Sequence, residues 1–306
     1  VAGVAVPPPG EHGGDGAGLA AALGIDAEGV LDLSASLNPC APDVVALAAR
    51  RLGSLRRYPD PAVAAGWVAE AVGVEAGRVV LTNGGAEAIA LVAAEVGAGW
   101  VEPPEFSLYA RHLPALRPGA GRWRSNPNNP TGLLAGVSAR AAVWDEAFWP
   151  LATGTWTRGD ADRGSWVVGS FTKTFACPGL RLGYVLAPDA ASAARLRDRQ
   201  PRWAVSGLAC ALVPDLLALA DLAGWAGGVR VLRARLVAVL RAAGFEPRPS
   251  DAPWVLVPDA DGLRERLAHH AVLVRDCATF GLPGIARVAV PDEPGLDRLA
   301  TALATS

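Results

Sequence analysis

The chain has 306 residues, 51% of them apolar, and a net charge of −2, which suits a globular protein with a sizeable core. No basic run is interleaved with aromatics, which excludes a nucleic-acid surface or a membrane-adsorbing face and leaves small-molecule chemistry. The four cysteines, Cys40, Cys177, Cys210 and Cys277, are too dispersed for a metal site or a disulfide framework and fit a reducing cytoplasm. The most apolar stretch, 205–224, is interrupted by Pro214, Asp215 and Asp221, so no membrane span is expected, and the N-terminal residues lack the basic-then-apolar order of a signal peptide.

Along the chain, a Pro/Gly-rich arm (1–45) comes first. Helical periodicity is expected at 43–52 and 61–72, separated by the turn-forming Tyr58-Pro59-Asp60-Pro61. A β-branched run at 79–82, a glycine turn and an amphipathic helix at 86–96 then begin an α/β unit. Short strands follow at 99–101, 122–124, 142–144, 166–169 and 181–186, together predicting a wound, mostly parallel sheet in a large domain spanning 46–195. Helices at 188–200, 206–223 and 228–243 lead to strands at 254–257, 272–275 and 286–290 and helices at 260–269 and 293–303. Residues 196–306 therefore read as interdomain helices and a smaller α+β domain.

Four segments carry chemistry. Thr82-Asn83-Gly84-Gly85-Ala86-Glu87 lies between strand and helix, where backbone N–H groups converge on an anion at the positive end of the helix; an ordinary tight turn fits equally well. In Ser125-Asn126-Pro127-Asn128-Asn129-Pro130-Thr131-Gly132 two prolines make a rigid loop that holds amide side chains. A surface turn would account for its prolines and glycine but poorly for three asparagines. Asp145, in Trp144-Asp145-Glu146-Ala147-Phe148, ends an apolar strand, where it either pairs with a cation or protonated ring nitrogen or caps the next helix.

The fourth segment, Ser170 to Arg181, contains Lys173, the only lysine in a chain whose other basic side chains are arginine. An ammonium that must be partly desolvated to act as a nucleophile is what an arginine cannot supply. Ser170, Thr172 and Arg181 around it suit a phosphate.

In this order, the four segments resemble the class I/II aminotransferase group of fold-type I pyridoxal-phosphate enzymes, over most of the chain from about residue 12 to 298. The resemblance implies a Schiff base between pyridoxal 5′-phosphate and Lys173, which also moves the Cα proton, and pairing of Asp145 with the pyridinium nitrogen. It further implies Asn129 on the phenolic oxygen, Phe106 stacked on the ring, and Gly85, Ala86, Ser170, Thr172 and Arg181 around the phosphate. Tyr58 would reach the phosphate of a neighbouring subunit in a homodimer with shared active sites. Arg287 matches the arginine that forks onto the substrate α-carboxylate.

Three further segments resemble the threonine-phosphate decarboxylases of cobalamin synthesis and the related histidinol-phosphate aminotransferases. They are His12-Gly13-Gly14-Asp15, Pro201 to Ser206, and Arg275-Asp276-Cys277 leading to Phe280-Gly281-Leu282. This second resemblance implies a phosphorylated amino acid or amino alcohol as substrate, with Arg275, His12 and Asn38 near its phosphate. Decarboxylation is the expected reaction, transamination the alternative. Two departures, Phe148 where relatives carry tyrosine and short stretches at 109–126 and 132–145, open a third reading, a trimmed non-catalytic relative.

Overall fold

A computed structural model of the chain describes residues 5–305. Among them ten strands follow in order: β1 (Leu31–Leu33), β2 (Val79–Asn83), β3 (Trp100–Val101), β4 (Arg122–Ser125), β5 (Val143–Asp145), β6 (Trp166–Ser170), β7 (Leu182–Leu186), β8 (Trp254–Val257), β9 (Val272–Asp276) and β10 (Ala286–Ala289). The contacts divide the chain into two compact units. One comprises Ala41–Asn129 and Leu134–Ala226, the other the described residues through Cys40, Pro130–Leu133 and those from Gly227 onward.

The larger unit is built on a six-stranded sheet in the order β2-β7-β6-β5-β4-β3. Strands β3 to β6 run parallel to one another, while β7 lies antiparallel between β2 and β6. Every residue of β6 and β7 is buried, which explains their continuous apolar runs: a strand covered on both faces has no polar alternation. Helix Gly84–Val96 covers one face, with Ala88, Ile89, Val92 and Ala93 packed in a core with Val80, Val168 and Val185. Its stop is Gly97, left-handed at φ 69°, as helix C-termini prefer.

Helix starts also follow side-chain chemistry. Asp43 accepts from Val45 and Ala46 N–H, Asp60 from Ala62 N–H ahead of Pro61, and Ser206 from Ala209 N–H, each relieving donors that have no intrahelical partner. The parallel strands bring their carboxyl ends together: Ser125 closes β4 in register with Asp145 at the end of β5, and Ser170 closes β6. Open α/β sheets bind ligands at this edge.

The smaller unit carries a four-stranded sheet, β1-β9-β10-β8. Leu232, Leu236 and Leu240 from helix Leu222–Ala242 and Leu296 and Leu299 from helix Glu293–Thr305 form its core with Leu33, Val255, Val257, Val272, Val274 and Val288. The arm is more ordered than its Pro/Gly content predicts. It contains helix Gly16–Leu23, whose Leu19 packs on Ala268 and Leu273, and β1, paired in parallel with β9. Three residues are too few to show a period of two, and β1 is stabilised by a partner far along the chain. Residues 132–142 form no helix or strand, consistent with the shortness expected there. No single helix among the described residues is long and apolar enough to cross a membrane.

Candidate active site

Lys173 lies on the short helix Phe171–Thr174 that leaves the end of β6, its Nζ 5.9 Å from the ring centre of Phe148. Asp145 is half-buried at the end of β5. Its Oδ2 accepts from the Tyr109 hydroxyl at 2.8 Å and its Oδ1 from Ala147 N–H at 2.9 Å. Burial pushes the Asp145 carboxyl up from its ordinary value, while Ala147 N–H, the Tyr109 hydroxyl and the Lys173 charge pull it back. Tyr109 is 1% exposed, packed by Trp123 and, edge-on, by Phe106 at 5.8 Å between ring centres. Burial and the neighbouring carboxylates raise its phenol well above the ordinary value, which keeps it a donor.

The start of helix Gly84–Val96 faces Ser170 and Arg181. A Cβ at Gly84, whose φ is +73°, would collide with the Arg181 guanidinium, and one at Gly183 would come within 2.6 Å of the Gly84 backbone. Only glycine tolerates both demands. A Cβ at Gly85 would stand 3.8 Å from that of Ser170. The Thr172 hydroxyl is buried with no hydrogen-bond partner among the described residues, a costly state for a polar group unless a ligand satisfies it. Asn129 is buried and its backbone N–H donates to Ser125 Oγ at 2.7 Å. Tyr58, by contrast, is 77% exposed and stacks on Trp203 at 4.5 Å.

In the smaller unit Arg275 and Arg287 are register partners on adjacent antiparallel strands, and both are buried. Arg287 donates to Ser34 C=O at 3.1 Å and lies against Trp254 and Phe280. Burial, with Arg275 beside it, lowers its guanidinium to about 10. Arg275 donates to Gly10 C=O at 2.9 Å, to Glu11 C=O and to Thr279 Oγ1 at 2.9 Å, so the arm segment holding His12 is tied to it. Asn38 is buried and accepts from Cys40 N–H through Oδ1 at 2.9 Å.

The family model for aminotransferase class I and II matches residues 124–303. The chain belongs to the class I and II aminotransferase family. Among relatives, it is 30% identical to threonine-phosphate decarboxylase of Salmonella typhimurium, across 95% of each protein. It is 29% identical to histidinol-phosphate aminotransferase 1 of Dechloromonas aromatica, over 93% of this chain and 92% of the relative. Solved folds agree. The L-threonine-O-3-phosphate decarboxylase of Porphyromonas gingivalis superimposes with a TM-score of 0.78 at 21% identity, over 90% of this chain and 99% of that one. The histidinol-phosphate aminotransferase of Sinorhizobium meliloti, solved with pyridoxal-5′-phosphate, does so at 0.80 and 20% identity, over 93% of this chain and 92% of that one.

This aminotransferase-family chain is an enzyme, and the family's cofactor is pyridoxal 5′-phosphate. The residues of the larger unit fit that group chemically: an amine, a half-buried carboxylate able to hold a ring-nitrogen proton, and hydroxyl, guanidinium and helix N–H donors of the kind a phosphate needs. Tyr109 was not among the residues singled out in the sequence, where Pro103-Pro104-Glu105-Phe106 drew attention to Phe106. Phe106 and Tyr109 stand one helical turn apart with their rings edge-on, but the hydrogen bond from Tyr109 to Asp145 leaves no signature in the sequence.

Proposed function

We propose that this enzyme binds pyridoxal 5′-phosphate on Lys173 and releases CO₂ from L-threonine O-3-phosphate, giving aminopropanol phosphate for cobalamin synthesis in the cytoplasm. The observation that carries the choice is the cross-strand pair Arg275 and Arg287. Two buried guanidinium groups in register suit a substrate bearing a carboxylate and a phosphate at once, as this one does, and buried cations are stable only against anions or good acceptors.

When bound, the cofactor supplies an aldehyde for the substrate amine and a ring that takes up the electron pair left on Cα. Asp145 keeps a proton on the ring nitrogen. Asn129 donates to the phenolic oxygen, and Phe106 covers the ring with Tyr109 beside it. Gly85, Ala86, Ser170, Thr172 and Arg181 hold the cofactor phosphate. Arg287 would grip the α-carboxylate and so orient the substrate for loss of that group. Lys173 Nζ would supply the proton that takes the place of CO₂ at Cα. Arg275, His12 and Asn38 bind the substrate phosphate.

A homodimer is part of this reading. The groove lined by Tyr58, Val63, Trp67 and Pro214 leaves apolar side chains exposed, as a surface awaiting a second copy does, and Tyr58 would extend from it to the partner's cofactor phosphate.

The second reading, transamination of histidinol phosphate, is favoured by the Dechloromonas relative. Supplying L-threonine phosphate and measuring CO₂, then histidinol phosphate with 2-oxoglutarate and measuring glutamate, separates the two. Glutamate without CO₂ would overturn the decarboxylase assignment. An absorbance band from bound cofactor, lost in Lys173→Ala, tests the site and excludes a non-catalytic scaffold.

A further inference from the structure

Glu105 is a buried acid to which the mechanism gives no role. It precedes helix Ser107–His112 and is 9% exposed. Its Oε2 accepts two hydrogen bonds from the first residue of the asparagine loop: Ser125 N–H at 3.0 Å and Ser125 Oγ at 2.5 Å. The same Ser125 Oγ accepts Asn129 N–H at 2.7 Å.

The contacts run in one direction, from Asn129 through Ser125 to Glu105. A hydroxyl has one hydrogen to give, and Ser125 Oγ directs it at Glu105 Oε2, which also takes the Ser125 N–H. Ser125 Oγ therefore gives its hydrogen to Glu105 and turns a lone pair to Asn129. Asn128 adds a second tie, donating through Nδ2 to Pro104 C=O at 3.2 Å, and Asn126 N–H donates to Asp145 C=O at 2.8 Å. The loop is thus held from the Glu105 side and from β5.

We infer that Glu105 is a positioning residue: through Ser125 it fixes the backbone at Asn129 and so aims the Asn129 amide at the cofactor's phenolic oxygen. A hydrophobic residue would fill the volume without the desolvation that pushes the Glu105 carboxyl up to about 7, against the opposing contacts of Ser125 and Asn128. Burying an acid at such a cost has a purpose if its acceptor atoms orient a group that must be placed to within a fraction of an ångström.

The inference rests on the cofactor reading above, and its test separates the two. The readout is the apparent pKa of the visible absorbance band of the holoenzyme. An amide donor stabilises full negative charge on the phenolic oxygen, so losing it raises that pKa. Asn129→Ala should raise it by roughly one unit, and Glu105→Ala by a similar amount, with about tenfold weaker cofactor retention. Glu105→Gln, which can accept the same two bonds, should recover most of the shift. Ser125→Ala should reproduce it, and stands in if Glu105→Ala does not fold.

In an Asn129→Ala background, Glu105→Ala should add nothing further, because the two act in series. A wild-type protein without any band overturns the cofactor reading and this inference with it. A normal band whose pKa is unmoved by Glu105→Ala and Ser125→Ala, or shifts from Glu105→Ala and Asn129→Ala that simply add, overturns the role of Glu105 alone.

Discussion

The buried Tyr109 hydroxyl donates to Oδ2 of the half-buried Asp145 at 2.8 Å. Phe148 has no hydroxyl to offer, and Tyr109 gives the carboxylate a hydrogen bond from the helix Ser107–His112 that follows β3. The charge on Asp145 depends on donors such as this one, because burial alone favours the neutral acid.

Tyr109→Phe should therefore raise the Asp145 carboxyl further. In its proposed role Asp145 is ionised to hold the ring-nitrogen proton, so the acid limb of the pH–rate profile should move to higher pH. With a hydrogen bond to a charged group worth about 1.5–3 kcal/mol, kcat should fall about tenfold or more. An unchanged profile would show that Tyr109 does not tune Asp145.

Arg287→Lys should raise KM for the amino-acid substrate by one to two orders of magnitude, on the order of the 2–3 kcal/mol that a bidentate charged contact supplies, while the cofactor band stays intact. A lysine keeps the charge but loses the planar fork and its stacking between Trp254 and Phe280. Steady-state kinetics and the absorbance spectrum check both halves.

Stability should fall as pH rises from 5 to 7. Glu146 is buried, held by Thr157 Oγ1 at 2.6 Å and Arg158 N–H, and burial raises it from 4.5 to about 7. Between those values the folded state keeps a proton that the unfolded chain has released, so the stability Glu146 contributes is greatest below 4.5, declines through this window and is flat above 7. The slope is at most about 1.4 kcal/mol per pH unit from this group. Urea titrations of wild type and Glu146→Gln should show a flatter dependence in the variant.

The groove beside Tyr58 should join two copies. Wild type should sediment near twice 31.4 kDa, and Trp67→Glu, which places a charge among exposed apolar side chains, should shift the population to monomer and weaken cofactor retention if Tyr58 serves the neighbouring site. A monomeric wild type that retains cofactor normally would refute the shared-site dimer.

How far the sequence foretold this molecule varies with the range of the interactions involved. The run at Val79 and the helix after Gly84 were readable because a strand buried on both faces and a helix packed on one leave local periodicities. Lys173 stood out in the sequence by its rarity among arginines. Helix Gly16–Leu23 and β1 were not, since glycine content masks the one and the other depends on pairing with β9. Tyr109 and Glu105 were missed for a related reason. Their significance lies in contacts with Asp145 and Ser125, which no spacing in the sequence reveals.

The parallel pairing of β1 with β9 also bears on handling of the protein. β1 protects one border of the small sheet. A chain trimmed past residue 33, by a protease or by choice of cloning site, would leave the backbone groups of β9 open along its length, next to Leu273 and Val274. Such a border recruits strands from other molecules, so N-terminal truncation should produce insoluble material before it produces an inactive enzyme.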